Sequence, residues 1–414
     1  MVAIGAEPVR RVGGWWIAAF SAAWLGLWMA QLAPVQYLLP TQVDGLFEGG
    51  DWKRSTLDFG LIAGSAAIAS IIAYPLAGAL SDRTTGRFGR RRPWIVIGAL
   101  LFALSLLALG VQTTVAGIMV FWALASAGFC ALTAALTALI ADQVPVGQRG
   151  LVSGLASAPQ AIGIILGVIL VTELFVGMLA GYAALAVLLL VLVAPFLLLV
   201  PDPPLRRSQR PPLTLRALVT GFWISPRAYP DFGWTLLSRV LVNIGNALGT
   251  GLLLYFLLFG LGREHAEDDL LVLIVIYAIA SVVASVVCGQ LSDRLGRRRV
   301  FVLIAAGAQA LGSLGIAAFP SFETAIVGAA LAGLGYGCFL SVDQALATQV
   351  LPDAASRGKD LGIMNLASAI PQALGPMLGA LIVLVFGGFP ALFVASAVVG
   401  VLGALAILPI RSVR

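Results

Sequence analysis

Runs of about 20 consecutive apolar residues recur from Trp15 almost to the C-terminus, and no other feature restricts the fold so severely. A helix of that length spans the hydrocarbon core of a bilayer, and in lipid only a backbone that satisfies its own hydrogen bonds is stable. The chain has 414 residues, of which 60% are hydrophobic and 11% charged, with a mean hydropathy of +1.01. A soluble domain of this composition has too little polar surface to cover its core. The expected class is therefore an all-α membrane protein.

Breaking the runs at charged or Pro/Gly-rich punctuation gives twelve spans: 15–40, 57–80, 93–112, 114–143, 149–173, 178–200, 232–261, 269–291, 299–319, 323–350, 358–386 and 388–410. The first is too long for the apolar region of a signal peptide, so no cleaved leader is expected. With both termini in the cytoplasm, 21 of the 25 Lys and Arg residues fall in segments on the cytoplasmic side. Only Lys53, Arg54 and Arg263 fall on the other side, and Arg239 falls within a span. That bias is the positive-inside pattern, so the net charge of +6 reports topology rather than a nucleic-acid partner. The expected location is the cytoplasmic (inner) membrane. The Pro- and Arg-rich segment 201–230 reads as a cytoplasmic linker between two six-helix bundles, 1–200 and 231–414.

Chemistry that needs a metal or a nucleophile finds little here. Cys130, Cys288 and Cys338 lie inside apolar runs without disulfide or zinc spacing, and the one histidine, His265, sits in a polar stretch between spans. Neither an enzyme nor a cofactor is expected.

The two halves are copies. GALSDRTTGRFGRRRPW (78–94) returns as GQLSDRLGRRR (289–299), with Asp82 and Asp293 separated by 211 positions. LASAPQAIGIILG (155–167) returns as LASAIPQALGPMLG (366–379), again offset by 211 at Leu155 and Leu366. The loop endings VPVGQRG (144–150) and VLPDAASRG (350–358) form a third pair. Six spans per copy preserve orientation, so the repeats are parallel and related by an axis along the membrane normal.

The duplicated six-span unit with its G-x-L-S-D-R…G-R-R-R loop resembles the major facilitator superfamily over essentially the whole chain. The resemblance implies two bundles rocking about a central cavity lined by spans 1, 4, 7 and 10, with substrate bound near its middle. It also implies that the loops act at the cytoplasmic gate: Asp82, Arg83, Arg90 and Arg91 in the first copy, and Asp293, Arg294 and Arg297 in the second. Asp142, at the end of span 4, is the expected partner of the first arginine cluster. Gln349 stands at the equivalent place in the second half, which marks that latch as the weaker one. The competing reading is that the loops only anchor topology.

A charge within a span is costly, so ionisable residues there are functional candidates. Arg239 lies nine positions after Pro230 and Asp343 nine before Pro352. Both therefore sit about 10–14 Å from the cytoplasmic end and suit an ion pair that couples transport to a proton. Arg239, Asn243, Asn246 and Thr250 form one helical stripe. Trp24, Trp28 and Gln31 share a face of span 1, and Phe129 and Thr133 a face of span 4. Tyr336 adds to span 10, Gln160 to span 5, and Asn365 and Gln372 to span 11. Aromatic planes beside neutral amides and hydroxyls suit a polyhydroxylated substrate. A structural ion pair and polar helix–helix contacts are the plainer alternatives.

The first loop, SDRTTGRFGRRRPW, is similar to that of proton-coupled sucrose and glucose symporters and their bacterial relatives, a branch akin to glycoside–pentoside–hexuronide:cation symporters. The resemblance implies a small-molecule substrate, a proton or another cation as coupling partner, contact with membrane lipid and a monomeric state. Span 1 carries no carboxylate, which leaves Asp343 as the main protonation candidate. Two alternatives remain at this stage. One is proton-driven efflux of amphipathic molecules, although LASAPQAIG lacks the Gly-Pro step usual in span 5 of exporters. The other is a non-transporting pigment or assembly factor.

Overall fold

A computed structural model describes residues 11–47, 51–202, 204–205, 228–349 and 357–410. Most of the proposed linker lies outside these residues. The described residues form helices, and twelve rods account for most of them. They are α1 (Gly14–Asp44), α2 (Trp52–Asp82), α3 (Arg92–Leu109), α4 (Val115–Gln143), α5 (146–174) and α6 (Met178–Leu199). After the linker come α7 (Pro230–Gly260), α8 (Ala266–Leu295), α9 (Arg298–Ala318), α10 (Phe322–Gln349), α11 (Arg357–Phe386) and α12 (Phe389–Leu405). Ten helices among the described residues are long and apolar enough to cross a membrane, and two shorter apolar helices, Pro159–Leu174 and Phe389–Leu405, supply the rest.

Three rods are not uniform. α1 widens into a π turn at Pro34–Leu38, where proline removes an amide donor from the helical ladder. α5 ends in another at Leu170–Leu174. α7 breaks at Leu252 (φ −117°, ψ 25°) and continues through a π turn at Phe256–Gly260, although it carries no internal proline. Single π turns of this kind are recurrent at functional positions.

By packing, the chain divides into two compact units. The first comprises residues 1–34 and 65–222, the second residues 35–64 and 223–414. In the first, α3 and α4 approach through glycines: a Cβ at Gly98 would lie 2.7 Å from Leu132 N, and one at Gly128 would lie 2.6 Å from Phe102 N. Small residues at such crossings let backbones meet where lipid offers no hydrophobic drive. Trp15 is exposed, as an interfacial tryptophan should be, whereas the Trp16 indole donates to Gln143 Oε1 (2.9 Å) and ties α1 to α4.

In the second unit, Ser396 Oγ on α12 donates to Gly245 O of α7 (2.7 Å) and meets Ser313 Oγ of α9 (3.3 Å). The turn joining α1 to α2 also belongs to this unit. The buried Tyr255 hydroxyl reaches two main-chain carbonyls in the helices flanking that turn, Pro40 O of α1 (3.0 Å) and Ser55 O of α2 (3.4 Å).

Candidate functional site

Residues singled out in the sequence come together in two groups, one in each unit. In the second unit, Arg239 of α7 and Asp343 of α10 are each 2% exposed. Arg239 Nε and Nη2 both donate to Asp343 Oδ2, at 2.6 and 2.5 Å. Removing two charges from water is expensive, and the short paired geometry is what offsets it. One turn along α7, Asn243 Nδ2 donates to Arg239 O (2.8 Å) and Asn243 Oδ1 accepts from Tyr336 OH (3.0 Å). Gln372 Nε2 of α11 donates in turn to the same phenol oxygen (3.3 Å). Five predicted residues thus form one hydrogen-bonded chain from α11 to the ion pair. Asn246 lies apart from it: its Oδ1 accepts from Tyr277 OH of α8 (3.0 Å) and its carbonyl from Thr250 Oγ1 (2.9 Å).

Tyr277 was not among the sequence candidates. Its phenol within the run VLIVIYAIASVV was the available signal, because a buried tyrosine hydroxyl needs a partner. Ser238, buried beside Arg239 with an unpartnered Oγ, carried no comparable signal.

The first unit holds the aromatic group. Trp24 and Trp28 stack on α1 with ring centroids 6.2 Å apart and planes at 29°. Trp28 also meets Phe129 of α4 at 5.7 Å, and Phe129 meets Phe102 edge-on at 6.2 Å. Four polar atoms here are buried without a hydrogen-bond partner: Trp24 Nε1, Trp28 Nε1, Gln31 Oε1 and Thr133 Oγ1. A buried polar group without a partner costs about 1–3 kcal/mol, so four in one small region form a strained set unless something fills it. Gln160 is half-buried on α5. Asn365 lies outside the residues whose side chains are described.

The loop between α2 and α3 carries the densest charge cluster. Arg91, with a side chain 5% exposed, donates to Asp82 Oδ1 (2.5 Å), Asp142 Oδ2 (3.0 Å) and Ser81 Oγ (2.6 Å). Arg90 pairs with the same Asp142 carboxylate. Burial works against the Arg91 charge, but the Asp142 and Asp82 carboxylates outweigh it and raise its pKa above the ordinary arginine value. Arg83 is half-buried next to the cluster. Asp202, missed from sequence, accepts from Arg91 N (2.5 Å) and Arg92 N (2.8 Å). In the second copy of the loop, Arg294 and Arg297 are exposed and form no ion pair among the described residues. The Asp293 side chain is not among those described.

Twelve apolar helices among the described residues, in two units, one with a charged pair buried among its helices, define a multi-pass membrane protein. The particular family follows from the sequence match: the family model described as Major Facilitator Superfamily covers residues 15–267 and 240–414, and the chain belongs to that superfamily. Among curated relatives, the chain is 33% identical over 117 residues to a triacylglyceride transporter of Mycobacteroides abscessus, covering 28% of this chain and 22% of that protein. It is 29% identical over 147 residues to the multidrug resistance protein Stp of Mycobacterium tuberculosis, covering 33% and 27%. The methylenomycin A resistance protein of Streptomyces coelicolor matches at 30% over 115 residues, covering 28% and 24%. The chain thus spans about a quarter of the length of these relatives. The fold is similar to the nucleoside transporter NupG (TM-score 0.71, 14% identity, 95% of this chain and 98% of that one). It is also similar to a POT family transporter crystallised with a thioalcohol-conjugated peptide (TM-score 0.67, 15% identity, 95% and 94%).

Proposed function

We propose that the protein moves a neutral, hydroxyl-bearing small molecule, a sugar or glycoside, across the membrane together with a proton. The observation that carries this reading is the unpartnered set of Trp24, Trp28, Gln31 and Thr133. Two N–H donors, an amide oxygen and a hydroxyl between aromatic rings complement a ligand with alternating hydroxyls and apolar C–H faces. A hydrophobic cation leaves both indole donors unsatisfied.

Arg239 and Asp343 supply the coupling. Arginine keeps its charge, so the aspartate is the member that takes up the proton. A protonated Asp343 no longer holds the guanidinium as a charge partner, and Arg239 with Asn243 is then free to meet substrate oxygens. In this reading the bundles are residues 1–200 and 231–414, with 201–230 and both termini in the cytoplasm. The chain works as a monomer in the cytoplasmic membrane, with Asp82, Arg90, Arg91 and Asp142 holding the gate.

The test is flux into proteoliposomes of labelled sucrose, glucose and tetraphenylphosphonium, with and without an imposed pH gradient. Sugar accumulation that requires the gradient and disappears in Asp343→Asn, while sugar exchange persists, is the expected result. An Asp343→Asn protein that still concentrates sugar reduces the pair to a structural bridge. Export of amphipathic small molecules is the second reading, favoured by relatives named for drug resistance. Flux of the cation alone would select it.

A further inference from the structure

The segment that leaves α6 is bound to the α2–α3 loop at several points. α3 starts at Arg92 with a proline in its first turn, so the amides of Arg91 and Arg92 have no acceptor within the helix. Asp202 Oδ2 takes both. The segment is held on either side as well. Arg92 Nη2 donates to Val200 O (2.6 Å), and Gln143 Nε2 at the end of α4 donates to Pro201 O (2.9 Å). Gly89 completes the cradle: its φ of +103° favours glycine, and a Cβ there would run into the Asp202 carboxylate and carbonyl.

One residue is therefore gripped from both ends. The Arg91 backbone is bound to Asp202, while its guanidinium bridges Asp82 of α2 and Asp142 of α4. We propose that Asp202 is a positioning residue for the transport cycle: through the Arg91 backbone it sets the guanidinium that bridges Asp82 and Asp142, and so ties the stretch Val200–Asp202 that leaves α6 to that ion-pair cluster. Movement of the segment that withdraws Asp202 loosens the bridge, and a loosened bridge releases the segment. The proposal concerns the loop alone and is independent of substrate and coupling ion.

The test uses the full-length protein in lipid nanodiscs and needs no ligand. Asp202→Ala speeds hydrogen exchange at the Arg91 and Arg92 amides by about tenfold, the loss expected for bonds to a charged acceptor. Asp202→Asn keeps an acceptor oxygen and stays close to the native rate. The decisive readout is a double-mutant cycle on melting temperature with Arg91→Ala, which deletes the guanidinium and leaves the amide in place. If Asp202 acts through that guanidinium, the combined fall is smaller than the sum of the single falls. Additive falls would make Asp202 a helix cap and nothing more, and would overturn the proposal. An Asp202→Asn protein as damaged as Asp202→Ala would overturn it too. Should Asp202→Ala fail to fold, Gly89→Ala displaces the carboxylate without removing it and is read in the same cycle.

Discussion

The two units differ in where their buried charge lies. In the first, ion pairs gather at the helix ends around Arg91, and four interior polar atoms, on Trp24, Trp28, Gln31 and Thr133, are uncharged and unpartnered. In the second, one ion pair lies inside, between α7 and α10, within a continuous hydrogen-bonded chain, while Arg54–Asp58 and Arg263–Asp269 pair near helix starts and the loop arginines Arg294 and Arg297 are exposed. The loop sequences are near copies, so the loops alone do not explain the difference. Their surroundings do. Asp142 at the end of α4 has Gln349 as its counterpart, so the second loop lacks that carboxylate. A repeated motif keeps its cations while its acceptors diverge, and among the described residues only the copy with carboxylates around it shows ion pairs.

The largest effect is expected at the interior pair. Arg239→Ala strands a buried carboxylate and should cost about 3–5 kcal/mol, read as a fall in melting temperature together with loss of flux. Removing both partners in Arg239→Ala/Asp343→Ala should recover part of that stability and none of the gradient-driven flux. A double variant no more stable than the single would show that the pair is not isolated from its hydrogen-bonded chain.

The loop comes next. Arg91→Ala should cost about 2 kcal/mol, because the buried guanidinium serves two carboxylates and a hydroxyl. The folded-state pKa of Arg91 is raised, so while its carboxylate partners are ionised this contribution persists through neutral and mildly alkaline pH and is lost as pH rises through the arginine range. A melting curve that showed the Arg91→Ala deficit vanishing between pH 7 and 9 would contradict that assignment.

At the first unit's aromatic group the sign reverses. Trp28→Phe removes a buried donor that has no partner, so stability should hold or rise by up to about 1 kcal/mol, while affinity for the transported solute falls by about tenfold. Equal losses of stability and affinity would mean that the indole nitrogen already has a structural partner.

The smallest effect separates the two loop copies. Arg297→Ala should change stability by less than about 0.5 kcal/mol, as for other exposed positions. A loss equal to that of Arg91→Ala would erase the contrast between the units.

The helices were legible because long apolar runs in a chain this hydrophobic have few alternatives. The expected span 93–112 is α3 at Arg92–Leu109, and 388–410 is α12 at Phe389–Leu405. The broken α7 was hidden, because no proline marks Leu252 and a π turn costs no change in composition. The packing of residues 35–64 with the second unit was hidden too, since apolar surface does not name its neighbour. At the candidate site, Arg239, Asp343, Asn243 and Tyr336 stood out as polar groups in oil. Their order of bonding did not, because an amide states its capacity for hydrogen bonds and not their direction. Asp202 was obscured for a different reason. It lies among prolines in a stretch that reads as a connection, and its acceptors' partners are backbone amides that every residue but proline possesses.

That generality applies with equal force in the second unit. Tyr255 closes the α1–α2 turn by donating to the main-chain carbonyls of Pro40 and Ser55. A carbonyl is supplied by any amino acid, so descendants of this chain can drift at position 40 without touching the clasp. The phenol has no such substitute, because no other side chain offers a hydroxyl at that reach from an apolar ring. The constraint is one-sided, with one partner fixed and the other free to wander, and it leaves a test in the historical record of the sequence rather than in its energetics.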